Sequence, residues 1–156
     1  QPLDRPAVFP GYPWLLRETC AARDRYLTYL AARRRANEGT LVICDRFPLP
    51  QIKLMDGPQA ERMTRNCSQS RLIRTLSAIE KQYYNQIELP ELLFVLRADP
   101  ELAVRRKTDE DPDSVRARST EIWEMSWDSL RAHIIDANRP KDEVLSELKA
   151  VVWSQI

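Results

Sequence analysis

Apolar residues recur with a helical period in the first half of the chain. From Trp14 to about Asn37 they are spaced three, four and seven positions apart, which predicts one long helix. A second helical pattern covers about 61–86. The inward-facing residues predicted for the two helices are Leu16, Cys20, Leu27, Leu30 and Ala31, and then Leu72, Leu76, Ile79 and Tyr83. Gly39 follows the first helix, where a left-handed cap is expected.

Two short segments, 40–44 and 92–96, are almost continuously apolar and have the length of strands, and residues 132–136 are predicted as a third strand. Such runs are typical of strands covered on both faces in a parallel sheet. Asp99-Pro100 and Asp111-Pro112 predict helix starts, and Pro140 precedes a last helix. Helices alternating with strands predict an α/β fold with a parallel sheet. We expect one domain over residues 1–156.

The composition is that of an ordinary globular chain, with 43% hydrophobic residues and a net charge of +1. No apolar run approaches the ~18 residues of a membrane-spanning helix. The first ten residues contain three prolines and no signal-peptide core. The three cysteines form no CxxC pair and leave one unpaired in any disulfide scheme. We therefore expect a cytoplasmic protein without a membrane partner.

Charge is distributed unevenly along the chain. Residues 17–74 contain 12 basic and 6 acidic residues, whereas residues 75–156 contain 11 and 16. A basic half can face nucleic acid or a small phosphorylated ligand, or it can be a solvated helix face. Nucleic-acid binding would use the basic helix from Arg23 to Arg35, and we expect it less than the small phosphorylated ligand.

Polar side chains follow each predicted strand: Asp45-Arg46, then Arg97 to Asp99, then Asp136 to Arg139. Ligands of parallel sheets sit beyond the carboxyl ends of the strands. An arginine there can clamp a phosphate, and a carboxylate can hold Mg²⁺ through water. The alternative is that Asp45 and Arg46 only cap the next helix and pair with neighbours.

Arg105-Arg106-Lys107 and the acidic turn after it lie between two predicted helices. Clustered cations on a mobile connection suit phosphoryl transfer, because they neutralise the charge on the transferred group. The alternative is a solvated, salt-bridged helix pair.

Four segments in order resemble the thymidylate kinase family. Residues 38–47 (EGTLVICDRF) resemble its G-x-x-V-x-x-D-R-[YFH] strand, and residues 89–101 (LPELLFVLRADPE) resemble its P-D-L-x-x-x-L-x-x-x-P-E strand and turn. Arg105-Arg106 falls where the family's lid arginines begin, and residues 134–137 (IIDA) match its x-I-D-A. The resemblance implies an ATP-dependent phosphotransferase whose acceptor is a nucleoside monophosphate or a similar phosphorylated molecule.

The resemblance implies roles for individual residues. Asp45 would lie near the reacting phosphates and hold Mg²⁺ through water. Arg46 would bind the acceptor phosphate, together with Arg23 or Arg25 from the preceding helix. The remaining roles are acceptor binding by Phe47 and Gln51, closure over the donor phosphates by Arg105 and Arg106, and adenine contact by Asn138 and Arg139.

The resemblance further implies a three-layer α/β/α parallel sheet of the P-loop kinase type and a homodimer. The sequence contains no GxxxxGK[ST] loop, so we expect that loop and the first strand to precede Gln1. Pro50 and Leu54 lie near the positions where the family has a Ser and a Tyr that help hold thymine. The resemblance therefore does not extend to the base of the acceptor. The alternative is a catalytically inactive, kinase-derived module that binds a nucleotide or regulates a partner.

Overall fold

Helices and two short strands are distributed over two units of the chain, residues 1–88 and residues 89–156. The computed structural model describes residues 9–55, 57–66 and 70–155. The first unit contains α1 (Tyr12–Asn37), α2 (Ala60–Thr64) and α3 (Arg71–Asn85). The second unit contains β1 (Phe94–Arg97), α4 (Pro100–Arg106), α5 (Pro112–Glu124), a 3₁₀ helix (Asp128–Leu130), β2 (His133–Asp136) and α6 (Lys141–Gln155).

Helix α1 covers nearly the range that the sequence predicts. Pro13 is tolerated in its first turn, because the amide groups there have no partner within the helix. At the other end the Gly39 amide donates to Ala36 O at 2.9 Å. Gly39 has a φ of +83°, a conformation that residues with a Cβ rarely adopt. The predicted glycine cap is confirmed.

The buried face of α1 differs by one position from the predicted one. Leu15, Thr19 and Ala22 are buried, whereas 54% of Leu16 and 48% of Leu27 is exposed. The predicted stripe is therefore wrong. The reason is Thr19, whose hydroxyl donates to Leu15 O at 2.9 Å and is thereby satisfied inside the protein. An inward face that includes such a polar residue is not found by following hydrophobicity alone.

The predicted second long helix is divided into α2 and α3. Ser70 caps α3, because its Oγ accepts from the Ile73 amide at 3.3 Å. Ile73 packs with Leu15 and Ala60 in the core of the first unit, and Phe9, Trp14 and Leu76 lie around them. The buried side of α3 is also shifted by one position from the predicted side. It consists of Ile73, Glu80 and Tyr84.

Residues 40–44 form no strand, so this prediction is wrong. Leu41 is 56% and Ile43 is 86% exposed. A strand requires a neighbour that accepts and donates its backbone hydrogen bonds. Among the described residues, the first unit contains no strand that could serve as that neighbour.

The second unit is built around a two-stranded parallel sheet. Phe94 pairs with His133 and Arg97 pairs with Asp136. Both strands were predicted, with boundaries that differ by one or two residues. Parallel pairing brings their carboxyl ends to the same edge, and the Ala137 amide continues the pairing by donating to Arg97 O at 2.9 Å. The buried apolar residues of this unit are Leu93, Val95, Val115, Trp127, Ile135 and Val144.

Aspartates cap two helices of this unit, as the sequence predicts. The Asp99 carboxylate accepts from the Glu101 and Leu102 amides at 3.0 and 3.1 Å. The Asp111 carboxylate accepts from the Ser114 amide at 2.9 Å. Each interaction satisfies an amide that the helix leaves without a partner.

No helix in the described ranges combines the length and the apolar composition needed to cross a bilayer. Helix α1 has 26 residues, but it carries charged side chains along its length.

Candidate functional site

A cavity of about 110 Å³ lies in the first unit, between α1 and the loop that follows it. Helix α1 contributes Arg25 and the residues three, four and seven positions after it, which share one face of the helix. The loop contributes a continuous run, and one residue follows α3. The lining residues are Arg25, Thr28, Tyr29, Ala32, Cys44, Asp45, Arg46, Phe47, Pro48 and Ile87.

Four of the predicted site residues therefore line the same cavity: Arg25, Asp45, Arg46 and Phe47. The sequence left Arg23 and Arg25 as alternatives. Arg23 is exposed and does not line the cavity, because two positions along a helix turn a side chain to another face. Gln51 is also exposed and lies outside the lining.

Arg46 has an unusual backbone conformation, with a φ of +53°. A side-chain-bearing residue in this left-handed region costs roughly 1–3 kcal/mol and is often found at functional sites. Within the described residues, neither Arg46 nor Asp45 forms a side-chain hydrogen bond or an ion pair. The predicted alternative of local capping and pairing is therefore not what the structure shows. An arginine and a carboxylate without such partners stand next to each other at the cavity.

The rest of the cavity wall is largely aromatic and aliphatic, with Tyr29, Phe47 and Ile87 among its members. An arginine beside apolar surface suits a ligand with a negatively charged end and an apolar remainder. Arg25 is half-buried and belongs to the same wall. The cavity lining thus carries two arginines and one aspartate.

Asp45 is the residue predicted to hold Mg²⁺. No group of three metal-ligating side chains occurs in the described part of the chain. A single carboxylate fits Mg²⁺ only where the other ligands are waters and substrate phosphates, which is how this ion is commonly bound.

Two residues that interact with Arg25 were not predicted as site residues. Arg25 Nη1 donates to Tyr84 Oη at 2.7 Å. One turn earlier on α3, Glu80 accepts from the Gln59 and Ala60 amides at 3.0 and 2.9 Å. Burial raises the pKa of Glu80, although those two amides act in the opposite direction. The signal in the sequence was a glutamate four residues before a tyrosine, which share a helix face.

A larger cavity, of about 330 Å³, lies between α2 and α3 and contains none of the predicted site residues. Two of its residues, Lys81 and Glu61, form an exposed ion pair at 3.2 Å. The lining residues are Glu61, Thr64, Arg65, Ile73, Arg74, Ser77, Ala78 and Lys81.

In the second unit, Arg106 connects α4 to the segment that follows β2. Its guanidinium donates to Ala137 O at 2.6 Å and to Asn138 O at 3.2 Å. Arg105 is exposed at the same helix end. Of the two predicted lid arginines, Arg106 is thus engaged with backbone carbonyls, whereas Arg105 faces solvent.

Asn138 and Arg139 lie at the carboxyl edge of the sheet, where the sequence places them. The Asn138 Oδ1 accepts from the Asp99 amide at 2.8 Å, which joins the polar segments after β1 and β2. Arg139 forms an ion pair with Glu147. Arg97 packs over Trp123, with 4.4 Å between its guanidinium carbon and the ring centre.

Ion pairs connect α4 and α5 across the acidic turn. Arg116 contacts Glu101 at 2.7 Å. Hydrogen bonds from Lys107 and Arg118 lower the pKa of Glu110 to about 2. Ion pairs thus lie around the segment with the clustered arginines, and the role of Arg105 and Arg106 as a phosphate lid stays a prediction.

Two Escherichia coli proteins are similar to this chain: the "Uncharacterized ATP-binding protein YghR" of strain K12 and its namesake in strain O6:H1 (CFT073). Each is 30% identical over 139 residues, which cover 85% of this chain and 53% of the relative. The chain spans about half the length of the curated relatives it matches. No family model and no solved structure matches it.

Proposed function

We propose that this chain is part of an ATP-dependent phosphotransferase resembling thymidylate kinase, with the three-layer α/β/α fold and the dimeric assembly that this resemblance implies. It transfers a phosphoryl group to a nucleoside monophosphate or a similar phosphorylated acceptor. The observation that carries this proposal is the cavity that Arg25, Asp45 and Arg46 line together. The ATP-binding description of the similar E. coli proteins supports ATP as the donor.

The acceptor phosphate binds between Arg46 and Arg25. Guanidinium groups form paired, charge-assisted hydrogen bonds with phosphate oxygens. Tyr29 and Phe47 provide apolar surface for the neighbouring part of the acceptor. A cavity of about 110 Å³ is smaller than the roughly 300–1,000 Å³ of typical ligand sites. We therefore assign to it the phosphate end of the acceptor and the atoms next to it.

Asp45 would hold Mg²⁺ through water, and the ion would neutralise charge on the reacting phosphates. Arg105 is assigned to the donor phosphates. For Arg106 to share that role, it must exchange its bonds to Ala137 and Asn138 for bonds to phosphate. Asn138 and Arg139 are assigned to the adenine.

The test uses the complete protein that contains this chain, ATP, and a panel of nucleoside monophosphates. Arg46→Ala is expected to raise the KM for the acceptor and lower kcat together, because both positioning and charge stabilisation are lost. Arg34→Ala is the matched control, since Arg34 is an exposed arginine of α1 outside the cavity lining. Unchanged kinetics in Arg46→Ala would contradict the assignment.

A second candidate is a kinase-derived module that binds a nucleotide without turnover. The observation that favours it is that Arg106, one of the two arginines assigned to the donor phosphates, already donates to the Ala137 and Asn138 carbonyls. Acceptor binding that depends on Arg46, without phosphoryl transfer by the complete protein, would support this candidate instead.

A further inference from the structure

Tyr84 is connected to the cavity through the side chain of Arg25. It is 5% exposed, belongs to the buried side of α3, and is not among the cavity-lining residues. Its hydroxyl oxygen accepts a hydrogen bond of 2.7 Å from Arg25 Nη1. Arg25 does line the cavity. The tyrosine thus contacts a guanidinium-bearing side chain that forms part of the cavity wall.

Glu80 lies one turn before Tyr84, and only 1% of it is exposed. Each of its two carboxylate oxygens accepts a hydrogen bond, one from the Gln59 amide and one from the Ala60 amide, so the position of the carboxylate is fixed. Burial has the largest influence on the pKa of Glu80 and raises it, whereas the positive charge of Arg25 lowers it. A buried carboxylate therefore attracts Arg25 from the same helix face that carries the Tyr84 hydroxyl.

An arginine side chain is long and flexible, and a ligand that must first immobilise it binds less tightly. The guanidinium is planar and carries five N–H donors in a fixed arrangement. Holding one nitrogen against a rigid, buried acceptor restricts the rotation of the whole plane. The orientation of the Arg25 guanidinium is then set before any ligand arrives.

We propose that Tyr84 is a positioning residue, whose hydroxyl holds the Arg25 guanidinium at the cavity wall in the orientation that a phosphate group requires. The proposal rests on the proposed function, because it assumes that the cavity binds a phosphorylated ligand. Tyr84 itself does not touch that ligand.

The experiment measures binding of inorganic phosphate to the chain by NMR, from shifts of the backbone amides of residues 45–47. Tyr84→Phe retains the ring and removes the hydroxyl. It is expected to weaken phosphate binding about three- to tenfold, as for the net loss of one ordinary hydrogen bond. The matched control is Tyr83→Phe, since Tyr83 packs against Tyr26 at 5.8 Å between ring centres. It is expected to change binding less than about twofold.

Two further readouts separate positioning from a purely structural role. In an Arg25→Ala background, Tyr84→Phe is expected to have no additional effect on phosphate binding, because the residue through which it acts is gone. In the otherwise native chain, Tyr84→Phe is expected to increase the mobility of the Arg25 Nε–H group in ¹⁵N relaxation.

The outcomes distinguish this inference from the proposed function. Phosphate binding that Arg25→Ala and Arg46→Ala weaken but Tyr84→Phe does not would overturn the inference alone. A Tyr84→Phe substitution that weakens phosphate binding equally in the native chain and in the Arg25→Ala background would also overturn the inference. Binding that is undetectable, or insensitive to Arg25→Ala and Arg46→Ala, would overturn the proposed function and the inference with it.

Discussion

Replacing Glu80 tests the structure of the first unit most severely. Glu80 is almost fully buried, and its carboxylate accepts hydrogen bonds from the Gln59 and Ala60 amides. Glu80→Ala leaves both amides without this acceptor. A buried donor without a partner costs about 1–3 kcal/mol, so the substitution is expected to lower the free energy of unfolding by roughly 2–6 kcal/mol. That is a large part of the ~5–15 kcal/mol that stabilises a typical domain.

Glu80→Gln separates the hydrogen bonds from the charge. The side-chain oxygen of the introduced glutamine replaces one acceptor, whereas its NH₂ group faces the second backbone amide, so about 1–3 kcal/mol is expected to be lost. The control is Glu61→Gln in the same unit. Glu61 pairs with Lys81 in an exposed ion pair, whose removal is expected to cost at most about 1 kcal/mol.

The pH dependence of this prediction follows from the raised pKa of Glu80. A folded-state pKa above the usual value of 4.5 means that the folded state binds the proton more tightly than the unfolded state does. Protonation of Glu80 therefore contributes stability that is fully present below pH 4.5 and is lost as the pH rises through its folded pKa. This contribution is expected to disappear in Glu80→Gln.

The assay is urea-induced unfolding, monitored by hydrogen exchange of the α1 and α3 amides so that the first unit is observed specifically. Equal effects of Glu80→Gln and Glu61→Gln would refute the reasoning. So would a Glu80→Ala variant as stable as the native chain.

Two other substitutions test separate features. The free energy of unfolding of Arg46→Gly is expected to exceed that of Arg46→Ala by about 1 kcal/mol, because glycine adopts a φ near +53° without cost. Equal midpoints of urea unfolding would contradict this. In the second unit, Glu110 has a lowered pKa of about 2, so its stabilising effect is present above pH 4.5 and is lost as the pH falls from there towards 2. This contribution to stability is expected to shrink at high salt, since Glu110 is solvent-accessible. It is measured by comparing the acid unfolding of Glu110→Gln with that of the native chain. Identical unfolding curves would count against these ion pairs.

Local signals in the sequence predicted the helix ends well. Gly39, Asp99 and Asp111 act where they were expected, because capping depends on one side chain and the nearest amides. The two strands of the second unit and their parallel pairing were also predicted. The caps need no knowledge of distant contacts, and the strand pairing follows from the alternation of helices and strands along the chain.

Features that depend on helix packing were predicted less well. The buried sides of α1 and α3 are shifted by one position, because Thr19 and Glu80 are polar residues whose hydrogen bonds are satisfied inside. Residues 40–44 have the composition of a strand, but no strand of the first unit lies beside them among the described residues. Hydrophobicity alone cannot show either effect.

The residues of and around the candidate site also include some that a local motif predicts and one that depends on helix packing. Asp45, Arg46 and Phe47 are adjacent in sequence, so one motif predicted all three. Tyr84 contacts Arg25 because α3 packs against α1 with a particular rotation, which places its hydroxyl beside that arginine. The assignments of Arg105, Arg106, Asn138 and Arg139 stay predictions.

The most direct test of the central claim compares nucleoside 5′-monophosphates with the corresponding nucleosides in calorimetric titrations of the chain and of Arg46→Ala. If the cavity binds the phosphate end of an acceptor, at least one monophosphate binds, its nucleoside binds more weakly, and Arg46→Ala weakens monophosphate binding by roughly tenfold or more. Equal affinity for a monophosphate and its nucleoside, or equal affinity of the native chain and Arg46→Ala for the monophosphate, would contradict the claim.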